Sequence, residues 1–187
     1  MSHVDEKGIW DLYIAKKRHK LDLYLAAAIT DWYFPTAVAD IGCGIGKYCV
    51  VFKAFGWSLV HGYEGTKNIG AIAVYDKIFE VDLSAPVEFT FNYDLVLFLE
   101  VGEHVPEQYE QVLIDNVCRA STDIIIASWA TPGQYSASGH VNCKPRKYII
   151  EQFEKRGFEC NRVQSAGLRE KAGLPWFKKN LMEFRRK

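Results

Sequence analysis

The sequence predicts an α/β fold with a doubly wound, mostly parallel sheet of seven strands that ends in a C-terminal antiparallel hairpin. Short apolar runs alternate with helix-like stretches along most of the 187 residues, which is typical of a parallel sheet with helices on both faces. A glycine-rich turn follows the first apolar run. Acidic residues end the first four runs, at the edge where open sheets of this kind bind ligands.

The composition limits the function. A chain of 187 residues with 49% hydrophobic content can bury one sizeable core. Lysine plus arginine and aspartate plus glutamate both number 23, so a global positive field for nucleic acid is absent and nucleic-acid binding is disfavoured.

No window of the sequence holds the roughly 18 apolar residues of a membrane span, and the N-terminus lacks a secretion-signal pattern. We expect a soluble cytoplasmic protein whose five scattered cysteines are reduced thiols.

The N-terminal part is predicted to be a helical leader. Residues 10–32 are rich in helix formers, with apolar residues returning every three or four positions, and Pro35 closes the pattern. We therefore divide the chain into a leader, residues 1–36, and a ligand-binding domain, residues 37–187.

The elements of that domain follow in order. Proline and glycine mark helix boundaries, because proline suits the first helical turn and glycine the position after the last. The segment at residues 65–77 is short for a crossover helix, and the two final strands are predicted to join without a helix. The predicted strands are residues 37–42, 58–65, 77–84, 93–104, 122–130, 158–168 and 180–187, and the predicted helices are residues 47–57, 107–120 and 146–157.

The glycine-rich turn argues against a phosphate-bearing ligand. Gly42, Gly44 and Gly46 have GxGxG spacing, whereas the dinucleotide fingerprint is GxGxxG and the phosphate loop needs Ser or Thr where Tyr48 stands. Asp40 precedes the glycines and would repel a pyrophosphate, while it would attract a cationic group. The turn therefore suits a ligand with a positive charge and no phosphate.

These motifs resemble those of the class I S-adenosylmethionine-dependent methyltransferases. The resemblance rests on VADIGCGIG, on Glu64 at the end of the second predicted strand, on Asp82 at the end of the third, and on the final hairpin. It implies S-adenosyl-L-methionine as the cofactor. It also implies the cofactor-binding residues, which are Asp40, Gly42, Cys43, Gly44, Gly46, Glu64, Gly65, Asp82, Leu83, Glu100 and Val101.

Each part of the cofactor has an implied partner. The glycines would line its amino-acid end, and Asp40 would hold the ammonium directly or through water. Glu64 would accept both ribose hydroxyls with its two oxygens. Asp82 with Leu83 would bind the adenine edge, and Glu100 with Val101 would lie near the methionine moiety.

The residues expected near the methyl acceptor favour a hydroxyl group as the acceptor, rather than a planar amine or a cytosine carbon. The fourth predicted strand is followed by neither the Pro-Pro-aromatic motif of the amine enzymes nor a Pro-Cys nucleophile. Glu103 and His104 stand there instead. Histidine is well matched to accept a hydroxyl proton near neutral pH, so we predict His104 as the general base, Glu103 as its partner, and His140 as the second candidate.

The loop after the fifth predicted strand, residues 128–142, mixes aromatic and polar side chains as a sugar-binding surface does. The predicted substrate contacts are Trp129, Gln134, Tyr135 and Asn142. Together with LEVGEHVP, this loop resembles a glycan or small-molecule O-methyltransferase subgroup. Metal-dependent enzymes of this fold need clustered Asp and Asn ligands at these loops, and apart from Asn142 the sequence has none, so no metal is expected.

Three functions remain open. The first is methylation of a hydroxyl on a carbohydrate or a similar polar small molecule. The second is RNA methylation, which would use the basic residues 16–20 and the basic C-terminal residues. The third is a non-catalytic module that binds S-adenosylmethionine and serves in protein interactions.

Overall fold

The computed structural model describes residues 3–133 and 139–187. Seven strands form one sheet with helices on both faces. The strands are β1 Ala37–Ile41, β2 Leu59–Glu64, β3 Ile78–Glu80, β4 Tyr93–Leu99, β5 Ser121–Ser128, β6 Phe158–Cys160 and β7 Met182–Arg186. The α-helices are α1 Leu12–Arg18, α2 Leu23–Trp32, α3 Lys47–Phe55, α4 Glu110–Ala120, α5 Arg146–Glu154, α6 Arg162–Lys171 and α7 Phe177–Asn180.

The strand order is β3-β2-β1-β4-β5-β7-β6. Strands β1 to β5 run parallel to one another, and β7 lies antiparallel to both β5 and β6. Strands β1, β2 and β3 are added in one direction across the sheet. The chain then returns to the other side of β1, where β4 and β5 are added in the opposite direction. The predicted fold class is confirmed, and the reversal marks the place where such sheets bind ligands.

Alternate residues of the central strand β4 face two apolar layers. Val96 and Phe98 pack with α4 and α5 on one face of the sheet, whereas Leu95 and Leu97 pack with α2 and α3 on the other. This follows from the two-residue period of a strand. As expected, no full helix links β2 to β3; a single 3-10 turn at Ile69–Ala71 lies between them.

The C-terminal pair of strands differs from the prediction in its connection. Strand β6 ends at Cys160, and two helices, α6 and α7, lie between it and β7. The predicted strand at residues 158–168 is therefore three residues of strand followed by helix. Asn161 explains the change, because its side chain accepts a hydrogen bond from the Gln164 amide at 3.1 Å and caps the helix.

The N-terminal leader contains two helices rather than one. The break lies at residues 19–22, where Asp22 caps α2 through the Leu25 amide at 3.0 Å. The same carboxylate accepts hydrogen bonds from the amides of Gly173 and Leu174 at 2.8 and 2.7 Å. Asp22 thus joins the leader to the segment after α6. In the described residues, no helix combines the length and the apolar character needed to cross a membrane.

Candidate active site

A cavity of about 800 Å³ opens at the carboxyl ends of β1, β2 and β4. This volume is within the range of small-molecule sites, and the position is the switch point of the sheet. The sequence-predicted residues that line the cavity are Asp40, Gly42, Gly44, Glu64, Gly65, Asp82, Leu83, Glu100, Val101, Glu103, His104 and His140.

The glycine turn is crowded by protein side chains. Gly42 has a φ of 76°, and a Cβ there would lie 2.3 Å from a methyl group of Val101. Gly44 has a φ of 54°, and its Cβ would lie 2.3 Å from the His19 ring. Both positions therefore require glycine for conformation and for space. Gly46 instead forms the N-cap of α3 and does not line the cavity.

Asp40 lies beneath this turn at the end of β1. Its carboxyl group is almost fully buried, and the Cys49 thiol is 3.8 Å from one oxygen. Burial raises the pKa of Asp40 to about 7, and the negative charge of Glu64 contributes to the rise. A cation placed against Asp40 would oppose this rise, because it would favour the ionised carboxylate.

Glu64 ends β2 and organises the turn. Its Oε2 accepts a hydrogen bond from the Gly44 amide at 2.8 Å, and its Oε1 accepts from both the amide and the hydroxyl of Thr66 at 2.9 Å. The carboxylate is thus held at the cavity wall by backbone groups of two loops.

Asp82 follows β3 by two residues and forms another part of the wall. Its Oδ1 accepts hydrogen bonds from the amide and hydroxyl of Ser84 at 2.9 and 2.5 Å. Its Oδ2 lies 2.6 Å from the ammonium of Lys7. These donors lower the pKa of Asp82 although partial burial opposes them.

Glu100 follows β4 in a strained conformation. Its φ is 56°, which is uncommon for a residue with a side chain and clusters at functional sites. The Ser128 hydroxyl accepts from the Glu100 amide at 2.9 Å, and the Asn180 side chain donates to Oε1 at 2.7 Å. These contacts from β5 and α7 hold the carboxylate at the cavity.

Glu103 lies in the 3-10 turn Gly102–His104 and is fully buried. Among the described residues, neither of its carboxylate oxygens has a hydrogen-bond partner. The Glu100 carboxylate and the Ala130 amide lie near but outside hydrogen-bonding geometry. Burial first, and the charge of Glu100 second, raise the pKa of Glu103 well above its usual value.

His104 and His140 both line the cavity and their rings are in edge-to-face contact, with centroids 4.9 Å apart. Its Nδ1 is 3.0 Å from the Gly139 carbonyl oxygen, so the hydrogen-bond network assigns the proton to Nδ1 and leaves Nε2 with a lone pair. Burial, with a contribution from His140, lowers the pKa of His104 to about 4. The ordinary histidine pKa of roughly 6.5, which made this ring a candidate base near neutral pH, therefore does not apply to it.

Besides Gly46, three predicted residues within the described part of the chain do not line the cavity. Trp129 is 1% exposed, packs on Gly102, and donates from Nε1 to the Asn142 carbonyl at 2.6 Å. Asn142 is buried and donates to Glu110. Cys43 is buried against Gly62. Both predicted substrate contacts are therefore parts of the core, because the start of the loop turns inward. The predicted contacts at Gln134 and Tyr135 lie outside the described residues.

The N-terminal segment, residues 3–11, lines the cavity although no motif in the sequence indicated this. The side chain of Ile9 packs against Gly65, and the Trp10 ring lies 4.9 Å from that of His104. After α1, the His19 Nδ1 accepts a hydrogen bond from the Ile45 amide at 3.0 Å. These contacts depend on how the leader folds back across the edge of the sheet. Such long-range packing produces no local pattern in the sequence.

No protein-family model matches the sequence, and no curated protein matches it. Solved structures do match. An amino pentose methyltransferase from Micromonospora echinaspora, with bound S-adenosylmethionine, has a TM-score of 0.69 and 13% identity over 94% of this chain and 95% of that one. A sugar N-methyltransferase from Streptoalloteichus has a TM-score of 0.70 and 11% identity over 94% and 92% of the two chains.

A magnesium protoporphyrin IX methyltransferase from Synechocystis, with bound S-adenosylhomocysteine, has a TM-score of 0.60 and 19% identity over 87% of this chain and 80% of that one. At these identities the similarity establishes the fold. The fold is the Rossmann-like fold of S-adenosylmethionine-dependent methyltransferases.

Proposed function

We propose that the protein is an S-adenosylmethionine-dependent methyltransferase that acts on a hydroxyl of a carbohydrate or similar polar small molecule. The observation that carries this proposal is the continuity of the cavity. Its walls run from the glycine turn, Glu64 and Asp82 to Glu100, His104 and His140. One ligand bound along the first part therefore meets an acceptor at the second.

The chemistry of the first part fits S-adenosylmethionine. Asp40 and Glu64 are carboxylates on the wall, and Lys7 is paired with Asp82, an arrangement that favours a cation and hydroxyl groups over phosphates. The cofactor would supply an electrophilic methyl group. Asp40 would hold its ammonium, Glu64 its ribose hydroxyls, and Asp82 with Leu83 its adenine.

The second part of the cavity fits activation of a hydroxyl. His104 is neutral, and its Nε2 has a lone pair because Nδ1–H is directed to the Gly139 carbonyl. Such a ring can accept the proton of an acceptor hydroxyl that approaches Glu100. The similar structures described as acting on an amino pentose and on a sugar support a saccharide as the acceptor class.

The test combines binding with turnover. Purified protein is incubated with methyl-labelled S-adenosylmethionine and a panel of mono- and oligosaccharides, and cofactor binding is measured by calorimetry. We expect labelled product whose formation falls about 10²–10⁴-fold in His104→Gln, while cofactor binding stays intact. Cofactor binding without transfer to any acceptor would favour the non-catalytic module. Absence of cofactor binding would contradict the proposal altogether.

A second candidate, RNA methylation, is favoured by the placement of one basic run. Lys17, Arg18 and Lys20 line the cavity, so an anionic acceptor would meet them. The C-terminal arginines do not contribute, because Arg185 pairs with Glu183 and Arg186 donates to the Ser121 carbonyl. Phosphate contacts release counterions. RNA binding that falls steeply with salt, with methylation of RNA and not of sugars, would select this candidate.

A further inference from the structure

We propose that Glu103, His104 and His140 bind a divalent first-row transition ion at the acceptor end of the cavity. These residues offer one carboxylate and two imidazoles, and their candidate ligand atoms all lie within 4.8 Å of one another. Two ligands of one such ion are roughly 3–4 Å apart, so small side-chain rotations would bring these atoms to a common centre. The proposal departs from the sequence-based expectation of no metal.

The burial of Glu103 is an independent reason to place a cation here. Its side chain is 0% exposed, and within the described part of the chain both oxygens lack a hydrogen-bond partner. An isolated buried carboxylate is costly unless it is neutralised, paired with a cation or bound to a metal. The salt bridges of the described residues do not include Glu103. An ion bound to both histidines would be its partner.

The hydrogen bond of His104 has the form expected of a metal ligand. A ligating histidine usually donates its second ring N–H to a carbonyl or carboxylate, which fixes the tautomer and the ring orientation. The contact of His104 Nδ1 with the Gly139 carbonyl at 3.0 Å does this and directs Nε2 to the cavity.

The backbone holds the two sides of the cluster together. The Glu103 carbonyl accepts hydrogen bonds from the amides of Val141 and Asn142 at 2.9 and 3.0 Å. These bonds tie the segment that carries His140 to the turn that carries Glu103 and His104. Beneath the turn, Gly102 is in contact with the buried Trp129 ring. The ligand set is therefore preorganised by main-chain contacts rather than by flexible side chains alone.

The ligand types select the ion. Imidazole nitrogen suits Zn²⁺, Fe²⁺ and Ni²⁺, and a carboxylate also suits Mn²⁺, whereas Mg²⁺ prefers oxygen ligands and water. We therefore expect Zn²⁺ or Mn²⁺ to bind and Mg²⁺ to compete poorly. The nearby Glu100 carboxylate could complete the coordination.

The role of the ion, unlike its site, rests on the proposed function. An ion at this place would bind the acceptor hydroxyl and lower its pKa, as metal ions do for bound water. With the ion bound, His104 would act as a ligand, and the proton of the ion-bound hydroxyl would pass to solvent water. Without the ion, His104 remains the proton acceptor.

The experiment measures binding of the metal itself to chelator-treated full-length protein. Calorimetry with ZnCl₂ and MnCl₂, and the visible absorption of added Co²⁺, report affinity and ligand geometry. We expect one ion per chain, with affinity reduced about 10- to 100-fold or more in Glu103→Gln and in His140→Ala. Glu103→Gln keeps the side-chain shape and removes the buried charge, so it should fold. The control His3→Ala changes an exposed histidine and should bind the ion as the parent does.

The outcomes separate this inference from the proposed function. No binding to the parent, or equal binding to the parent, Glu103→Gln and His140→Ala, would overturn the metal site, even if methyl transfer were found. Binding that depends on Glu103 and His140 would support the site even if no acceptor were methylated. The affinity for S-adenosylmethionine, measured on the same samples, tests the proposed cofactor site independently of the metal site.

Discussion

The ammonium of Lys7 lies 2.6 Å from Oδ2 of Asp82, which links the N-terminal segment to the carboxylate predicted to bind adenine. Residues 4 and 10 of this segment form a bridge, and Ile9 contacts Gly65. The segment therefore lies at the proposed adenine and ribose positions, and Lys7 attaches it to the part of the wall that carries Asp82.

We expect Lys7→Ala to speed dissociation of S-adenosylmethionine about threefold, because an ion pair that is partly exposed to solvent contributes only a small free energy. Stopped-flow measurement of the release rate checks this. Lys16→Ala is the matched control, since Lys16 is exposed and does not line the cavity. Equal release rates in all three proteins would mean that the pair does not hold the segment in place.

Glu64→Ala should weaken binding of S-adenosylmethionine and of its demethylated product. Loss of charge-assisted hydrogen bonds to the ribose should cost about 1.5–3 kcal/mol. Calorimetry measures the affinity, and thermal unfolding reports the separate effect of freeing the Gly44 and Thr66 amides.

Glu80→Ala is the control for Glu64→Ala. Glu80 pairs with Glu64 in the register of β2 and β3 but is exposed, so its loss should leave cofactor affinity unchanged. Parent-like affinity in Glu64→Ala would contradict the assignment of this wall to the ribose. Tight binding of NAD by the parent would contradict S-adenosylmethionine as the cofactor.

Asp40→Asn should stabilise the cofactor-free protein at neutral and higher pH. The pKa of Asp40 is about 7 in the folded state against an ordinary value of 3.8, so the native state keeps a proton that the unfolded chain has lost between these values. The contribution of Asp40 to the free energy of unfolding therefore falls as pH rises from about 4 to about 7. Asparagine does not ionise. The free energy of unfolding of Asp40→Asn should therefore exceed that of the parent by up to about 4 kcal/mol at pH 8.

Denaturant unfolding of the parent and of Asp40→Asn at about pH 5 and about pH 8 checks the sign. The difference between the two proteins cancels the titration of groups that they share. A constant difference across this range would show that Asp40 has an ordinary pKa. Cofactor affinity should fall in Asp40→Asn, because the ammonium loses its charged partner.

Trp129→Ala should destabilise the fold rather than change acceptor recognition selectively. The side chain is 1% exposed, and truncating a buried aromatic residue typically costs about 3–5 kcal/mol. Trp176→Ala is the comparison, because Trp176 is half-buried and lines the cavity; it should cost less stability. Chemical denaturation measures both. A raised acceptor KM with parent-like stability in Trp129→Ala would instead support the surface role that the sequence suggested.

The sequence by itself determined the fold class and most of the proposed cofactor wall. Strand and helix periodicities are local, and an acidic residue that ends a parallel strand must lie at the carboxyl edge of the sheet. Asp40, Glu64 and Glu100 could therefore be assigned to one site without coordinates. The helix at Arg162–Lys171 was missed because its cap, Asn161, interrupts a run that also resembles a strand.

Only the tertiary structure decided which loop residues face inward and what the leader contacts. Trp129 and Asn142 are residue types that binding surfaces often contain, but both are buried in the core. Gly102 has no side chain, and the Trp129 ring occupies the space beside it. Lys7 and His19 reached the cavity through long-range packing that no local pattern records. The convergence of Glu103, His104 and His140 has the same cause, because hydrogen bonds between distant backbone segments bring the third ligand to the first two.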